Sequence, residues 1–503
     1  MKNIYLLTSL LFVLASCTDE ELQLNNPNGI TTTTFWQTEN DVNGAFAATY
    51  GLLKNVNGGY WGVRGTELTN GRGDDFVIRN DVASLYQLST FTNTADNETA
   101  STMWNIAYQD IFRANQIIEN VPLVPGLDAE KQTMYVAEAK FLRALNYFNL
   151  VINFGDVPLK LATPLTTEDY FTAKSPEADV WAQIIQDLTD AAAGLPTEWP
   201  SAWRGRATKG AALGYLGKAY LYTSNWSNAQ NTLQQLTMAP FGYALMPNYG
   251  DNFIMAFENN QESVFEIQLA DVGGTNPWAG ENANEALGVT TAQEFAPTEV
   301  SGWFEISPTD KLFNEFQIEK TTTNDFDPRM YATLVWNYPG ATFYNKPFSD
   351  FTLVFGYQSM IKKYQNYMQD NEMVGTSGAA DNTSSNNERA MRYADVILML
   401  AEALTQQGNV TEAYQYVNMI RERAHLATLA PGFNQTQMMA EIRHQRMIEF
   451  AREGFRFYDL KRWGLLQSEI TNSDKQGRDN FIAGKHEYFP TPQAEVDSNP
   501  NIN

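Results

Sequence analysis

Apolar residues recur at helical spacing over most of the chain. Thr38 stands as an N-cap before Glu39-Asn40-Asp41, and Val42, Ala45, Phe46, Thr49, Leu52 and Leu53 follow on one face until Asn57-Gly58-Gly59 stops the run. Residues 60–98 carry no such stripe and read as loop, Gly71-Arg72-Gly73-Asp74-Asp75 in their middle lacking the rest of a dinucleotide fingerprint. A second stripe holds Trp104, Tyr108, Ile111, Ala114, Ile117 and Ile118. A third runs from Asp128 to Phe154, and a fourth from Val180 to Ala193.

Two later segments repeat each other. Leu216-Gly217, Tyr220 and Ala229 match Leu400-Ala401, Leu404 and Ala413 in spacing, with Leu233 and Leu236, then Val417 and Ile420, after each alanine. This is the tetratricopeptide pattern, in which small residues let two antiparallel helices approach. Between about 240 and 389 the rhythm breaks into Gly, Pro, Asn and Thr with many aromatics and strand-like runs such as 263–268, and 375–387 reads as a loop. Helix is expected again from Ile442 to Glu453, ended by Gly454. There Arg446, Glu449, Arg452, Arg456, Asp459 and Arg462 fall at i,i+3 spacings, the pattern of an ion-pair network joining two layers. The last stretch, Tyr488 to Pro500, is proline-rich and reads as an extended tail.

The formal charge of −24 over 503 residues opposes nucleic acid and favours a neutral ligand. Cys17 is the only cysteine, so there is no disulfide framework. It follows a lysine and a short apolar run, Ile4 to Leu14, in Leu14-Ala15-Ser16-Cys17, which resembles a bacterial lipobox; Cys17 would then be the lipidated first residue of the mature chain. The boundaries expected are a signal peptide (1–16), a tether (17–34), a helical part (35–239), an irregular ligand-binding subdomain (240–389) and a C-terminal part of helical hairpin, signature and tail (390–503). His425, His444 and His486 lack metal-ligand spacing and no Gly-x-Ser-x-Gly elbow occurs. No cofactor is called for. Asp325 and Asp327 could touch a calcium ion but lack the rest of a calcium loop.

Several blocks together resemble one family. These are Phe35-Trp36, Met103-Trp104 through Asn115, Ala137-Glu138-Ala139-Lys140-Phe141-Leu142-Arg143-Ala144 through Pro158, Glu449 through Trp463, and Phe489-Pro490-Thr491-Pro492. With the lipobox and the acidic Asp19-Glu20-Glu21, they are similar to the SusD/RagB lipoproteins of Bacteroidetes. The resemblance implies a mainly α fold: a right-handed tetratricopeptide-type scaffold carrying an irregular, loop-rich subdomain with short strands. It also implies a non-catalytic, outer-membrane glycan-capture protein acting with a SusC-like TonB-dependent transporter. A peptide-capturing relative and a lipid-anchored glycoside hydrolase are the alternatives.

Sugar rings pack their C–H faces on aromatic rings, and their hydroxyls need planar polar partners. Trp278, Trp303, Trp336, Tyr338 and Tyr344 sit beside Asn, Ser or Gly in the irregular region and are the first candidates for such contacts. Asp75 and Tyr86 are further candidates, with an acidic pair such as Asp74-Asp75 more commonly just solvated.

Overall fold

The computed structural model describes residues 35–55, 58–270, 288–365 and 384–502. Cys17, the leader, Trp278 and most of the 375–387 loop lie outside the described residues. The scaffold helices are α1 (Glu39–Leu53), α2 (Glu98–Asn120), α3 (Ala129–Phe154), α4 (Glu177–Gly194), α5 (Lys209–Tyr222), α6 (Trp226–Gln235), α7 (Tyr393–Gln406), α8 (Val410–Arg423) and α9 (Gln435–Glu449). Their starts follow side-chain chemistry. Thr38 Oγ1 accepts the Asp41 N–H while the Asp41 carboxylate accepts the Thr38 N–H at 2.7 Å. Asp128 accepts the Lys131 N–H at 2.8 Å, and Asn434 with Gln437 forms a second reciprocal box.

Each of these helices packs mainly on its chain neighbour from α2 to α6, and α6 then packs on α7 although more than 150 residues separate them in sequence. The irregular segment is therefore an excursion from the hairpin stack, and the two repeat units recognised in the sequence become spatial neighbours. A Cβ on Gly217 would lie 2.4 Å from Leu233 Cδ2. That is the close α5–α6 approach the small residue permits. Gly217→Ala is expected to cost about 1–3 kcal/mol through overpacking, read as a lowered unfolding midpoint; an unchanged midpoint would mean Leu233 re-packs freely.

The excursion is held by short antiparallel pairs. Ser263–Ile267 pairs with Glu388–Arg392, Leu334–Trp336 with Ser359–Ile361, and Thr342–Phe343 with Lys346–Pro347. Residues 60–98 are more ordered than their pattern suggests: helices Gly65–Gly71 and Ala83–Ser89 flank a strand, Phe76–Ile78, that pairs with Ile306–Pro308. A strand of three residues has too few positions for alternation to be seen in sequence, and its partner is remote. The tail is also corrected. Gln493–Ser498 is helical, starting directly after Pro492, whose fixed φ suits a helix start, and Phe489 is buried with its N–H donating to the Asn153 carbonyl at 2.7 Å.

The 442–463 stretch departs from its expected local pairing. α9 ends at Glu449, and both Arg452 and Gly454 take left-handed φ, 71° and 77°. At Gly454 a Cβ would meet Thr69 Oγ1 at 2.5 Å, so glycine admits the 65–71 helix there. Of the i,i+3 pairs only Asp459–Arg462 forms, at 2.8 Å. Arg446 reaches Asp459 and Asp395, each at 2.7 Å, Arg452 takes Glu388, and Arg462 binds Glu402. Glu449 receives Arg423 at 2.6 Å, Arg392 at 3.0 Å and Arg329 at 3.2 Å. These side chains are buried, so other elements, not the helix's own next turn, supply their partners. Arg329, Arg392, Arg423 and Lys363 thereby face Asp327, Glu262, Glu449 and Glu453 in one buried, charge-balanced cluster.

Candidate functional site

The Phe76–Ile78/Ile306–Pro308 pairing brings the end of one strand against the residues preceding the other. Arg79 follows directly, and its N–H donates to the Glu305 carbonyl at 2.7 Å. Its guanidinium donates to the Trp303 and Phe304 carbonyls and to Asp81 Oδ1 at 2.6 Å. From the other side Arg64, itself in a left-handed conformation, grips Glu305 through Nη2 at 2.6 Å and Nε at 3.1 Å. The Arg64 guanidinium lies 5.9 Å from the centre of the Trp303 ring. Trp303 is half-buried, and the Arg64, Arg79 and Asp81 side chains are partly exposed beside it. A half-buried indole near the Arg64 guanidinium, on a segment tied down through its carbonyls by the Arg79–Asp81 pair, is a surface that can stack a sugar ring and bond its hydroxyls.

Beneath it lie three buried carboxyls. Glu294 Oε1 accepts the Arg64 N–H at 2.9 Å and the Thr290 hydroxyl at 2.7 Å. Burial pushes Glu294 up to about 7, and burial together with the charges of Glu305 and Glu294 pushes Glu67 well above the carboxylate range. Such protonated carboxyls could serve as general acids, but Glu67 and Glu294 are sealed from solvent, so neither reaches a bond in a ligand lying on the surface. Glu294 braces Arg64 from beneath through its backbone N–H, and Glu67 lies buried beside Glu305 and Glu294.

The other sequence candidates are placed as follows. Trp336 is 5% exposed and enclosed by Phe313, Phe326, Tyr331 and Tyr338, the last 4.6 Å away between ring centres. It fills a core, and Tyr338 is the half-buried outer ring of that stack. Tyr344 is buried, with its hydroxyl donating to Gln365 at 2.9 Å. The expectation of exposed rings fails for Trp336 and Tyr344 because both belong to packed clusters that the subdomain needs in place of long helices. Tyr86 is half-buried against the main core, on the helix that follows Asp81. Asp325 and Asp327 serve local structure: Asp325 accepts the Tyr331 hydroxyl, and Asp327 caps a helix and pairs with Arg329. Arg64 and Arg79 were not singled out in the sequence. No motif marks them, and only the strand pairing puts them next to Trp303.

Asp74 and Asp75 are both buried, against the expectation of a solvated pair. Burial alone would raise Asp74, but Arg456, at 2.7 and 2.8 Å, and Lys311, at 2.5 Å, outweigh it and hold Asp74 at about 2. Asp75 goes the other way: burial first, then the Asp74 charge, pushes it up to about 7. A depressed carboxyl stabilises the fold above its ordinary value of 3.8 and loses that contribution as pH falls towards 2. Asp74→Asn should therefore lose roughly 2 kcal/mol at neutral pH and flatten the acid limb of the stability profile between pH 4 and 2. A variant that keeps the full acid dependence would assign it to other groups.

Two family models match the chain. One, described as the SusD family, covers residues 261–503, and one described as "Starch-binding associating with outer membrane" covers residues 36–221. A SusD-like protein of Formosa agariphila is 29% identical over 98% of this chain and 97% of its own length. Among solved structures, a SusD superfamily protein from Bacteroides vulgatus superposes with a TM-score of 0.84 at 36% identity, covering 93% of this chain and 99% of the other. A laminarin-binding SusD-like protein gives a TM-score of 0.77 at 26% identity over 93% and 99%. Helical stack, inserted subdomain and both halves of the sequence agree: this chain belongs to the SusD family.

Proposed function

We propose that the protein is a non-catalytic, cell-surface glycan-binding lipoprotein. It is anchored in the outer membrane through Cys17 and captures a polysaccharide or oligosaccharide for a SusC-like TonB-dependent transporter. The observation that carries the ligand class is the half-buried Trp303 indole, 5.9 Å from the Arg64 guanidinium, in a segment whose backbone carbonyls are held by Arg79 with Asp81 as that arginine's partner. Both guanidiniums already have carboxylate partners, so the patch is close to neutral and suits an uncharged glycan. A family model described as starch-binding, a relative named as a starch-binding protein and a solved relative described as laminarin-binding support a neutral glucan as the first probe. Trp278, in the same irregular region, is proposed as a further contact.

Calorimetry against a panel of starch, laminarin, xylan, mannan and pectin oligosaccharides tests this reading. Binding is expected for at least one neutral glycan, with no reducing sugar released over hours. Binding of peptides alone would replace the ligand class, and sugar release abolished by one carboxylate substitution would replace the non-catalytic role.

A further inference from the structure

A pocket of about 180 Å³ opens elsewhere on the molecule and shares no residue with the Trp303 patch. Its floor is the Ser263–Ile267 strand. One wall is the 197–208 loop joining α4 to α5, and the other is formed by Tyr243 and Asn259.

The pocket is built, not incidental. Arg206 is fixed by Glu138, 2.8 Å from its Nε, and by Asn43 at 3.0 Å, and its guanidinium lies 4.4 Å from the centre of the Trp199 ring. The Trp199 indole N–H donates to the Ala207 carbonyl at 2.7 Å, which sets the ring's angle. Asn259 and Gln268 exchange amide hydrogen bonds of 3.0 Å each. Gly205 has φ +98°, and a Cβ there would lie 2.3 Å from Gln268 Cγ, so the loop can lie against that side chain only as glycine. At the mouth, Arg204 and Glu198 are exposed and make no ion pair among the described residues. Trp203, 42% exposed, flanks the same loop.

Resting on the glycan reading above, we infer that this pocket is a second saccharide site that takes one neutral hexose residue of a bound glycan. At about 30 Å³ per liquid-like water, the volume holds about six waters, the scale of a single sugar ring rather than an oligosaccharide. The Trp199 indole offers C–H stacking surface on the side away from Arg206, with the Tyr243 phenol, itself stacked with Phe241 and Tyr393, closing the wall, while the Asn259 amide, the Arg204 guanidinium and the Glu198 carboxylate offer planar hydroxyl partners of both kinds. One free cation matched by one free anion favours no net charge on the ligand. The walls are ordered before binding, which lowers the entropy cost of a small contact.

The test uses ¹⁵N-indole NMR of the chain from residue 18 onward, titrated with maltohexaose and, separately, laminarihexaose. The Trp199 and Trp303 signals are assigned by Trp199→Phe and Trp303→Phe. Both are expected to shift. Glu198→Ala combined with Arg204→Ala, two exposed changes that break no ion pair, should raise the sugar concentration for half the Trp199 shift at least tenfold and leave the Trp303 response unchanged. If only the Trp303 signal moves, the second site is overturned while the glycan reading stands. A Trp199 shift indifferent to the double change also overturns it, and if neither signal moves with either sugar, the second site falls together with the choice of a neutral glucan as ligand, while the remaining glycans of the panel decide the broader reading.

Discussion

Glu449→Gln is expected to destabilise the protein by about 3–5 kcal/mol, the range for removing one partner from a buried ion pair. Burial alone would raise the Glu449 pKa, yet Arg423, Arg392 and Arg329 hold it well below the usual carboxylate range. The carboxylate is fully buried, and its charge belongs to a cluster in which four cations face four anions. Glutamine fills the same space but leaves one unit of positive charge without water or counterion. Chemical denaturation at neutral pH is the measurement, with glycan affinity at low denaturant as the companion. A midpoint within experimental error of wild type would show that the cluster relaxes or admits water. A large loss of affinity with no loss of stability would move the stretch around Glu449 from scaffold to binding site.

Trp303→Ala should have the opposite signature. Removing the indole from the centre of the proposed ligand surface is expected to weaken glycan binding by about 2 kcal/mol, roughly thirtyfold. Stability should change little, because the ring is half-buried and Arg64 and Arg79 keep their bonds to Glu305 and to the backbone. Calorimetry with the best glycan of the panel, beside a thermal melt, separates the two effects. Trp336→Ala is the control: that ring is enclosed by four aromatics, so its loss should lower stability by roughly 3–5 kcal/mol through cavity formation. If Trp303→Ala binds as wild type, the ligand surface lies on other loops.

The contrast between these two tryptophans marks how far the residues alone reach. Trp303 follows Ser301-Gly302 and Trp336 precedes Asn337, small or polar neighbours in both cases, and composition ranks them equally. Trp336 is enclosed because Phe313, Phe326, Tyr331 and Tyr338 converge on it from different turns of an irregular chain, where no periodicity announces a buried face. Asp74 and Asp75 teach the same lesson for charge: their partners, Arg456, Lys311 and Lys475, lie hundreds of residues away. Ion pairs read at i,i+3 spacing in the 442–463 stretch mostly went to other elements, from Asp459, 13 residues from Arg446, to Asp74, 382 residues from Arg456.

What the sequence determined by itself is the part governed by short-range rules. The helical stripes, the Thr38 cap, the small residues at Gly217 and Ala401, the strand beginning at Ser263 and the family blocks depend on residues a few positions apart, where sterics and hydrogen bonding act locally. The tertiary structure alone decided which charges meet, which aromatics stay at the surface, and that α6 rejoins α7 across the excursion. The physical reason is that these outcomes turn on burial and on pairs of groups far apart in the chain. A carboxylate's partner or a ring's exposure is a property of the packed whole, and in this protein the proposed ligand platform is made by two strand ends that meet only after folding.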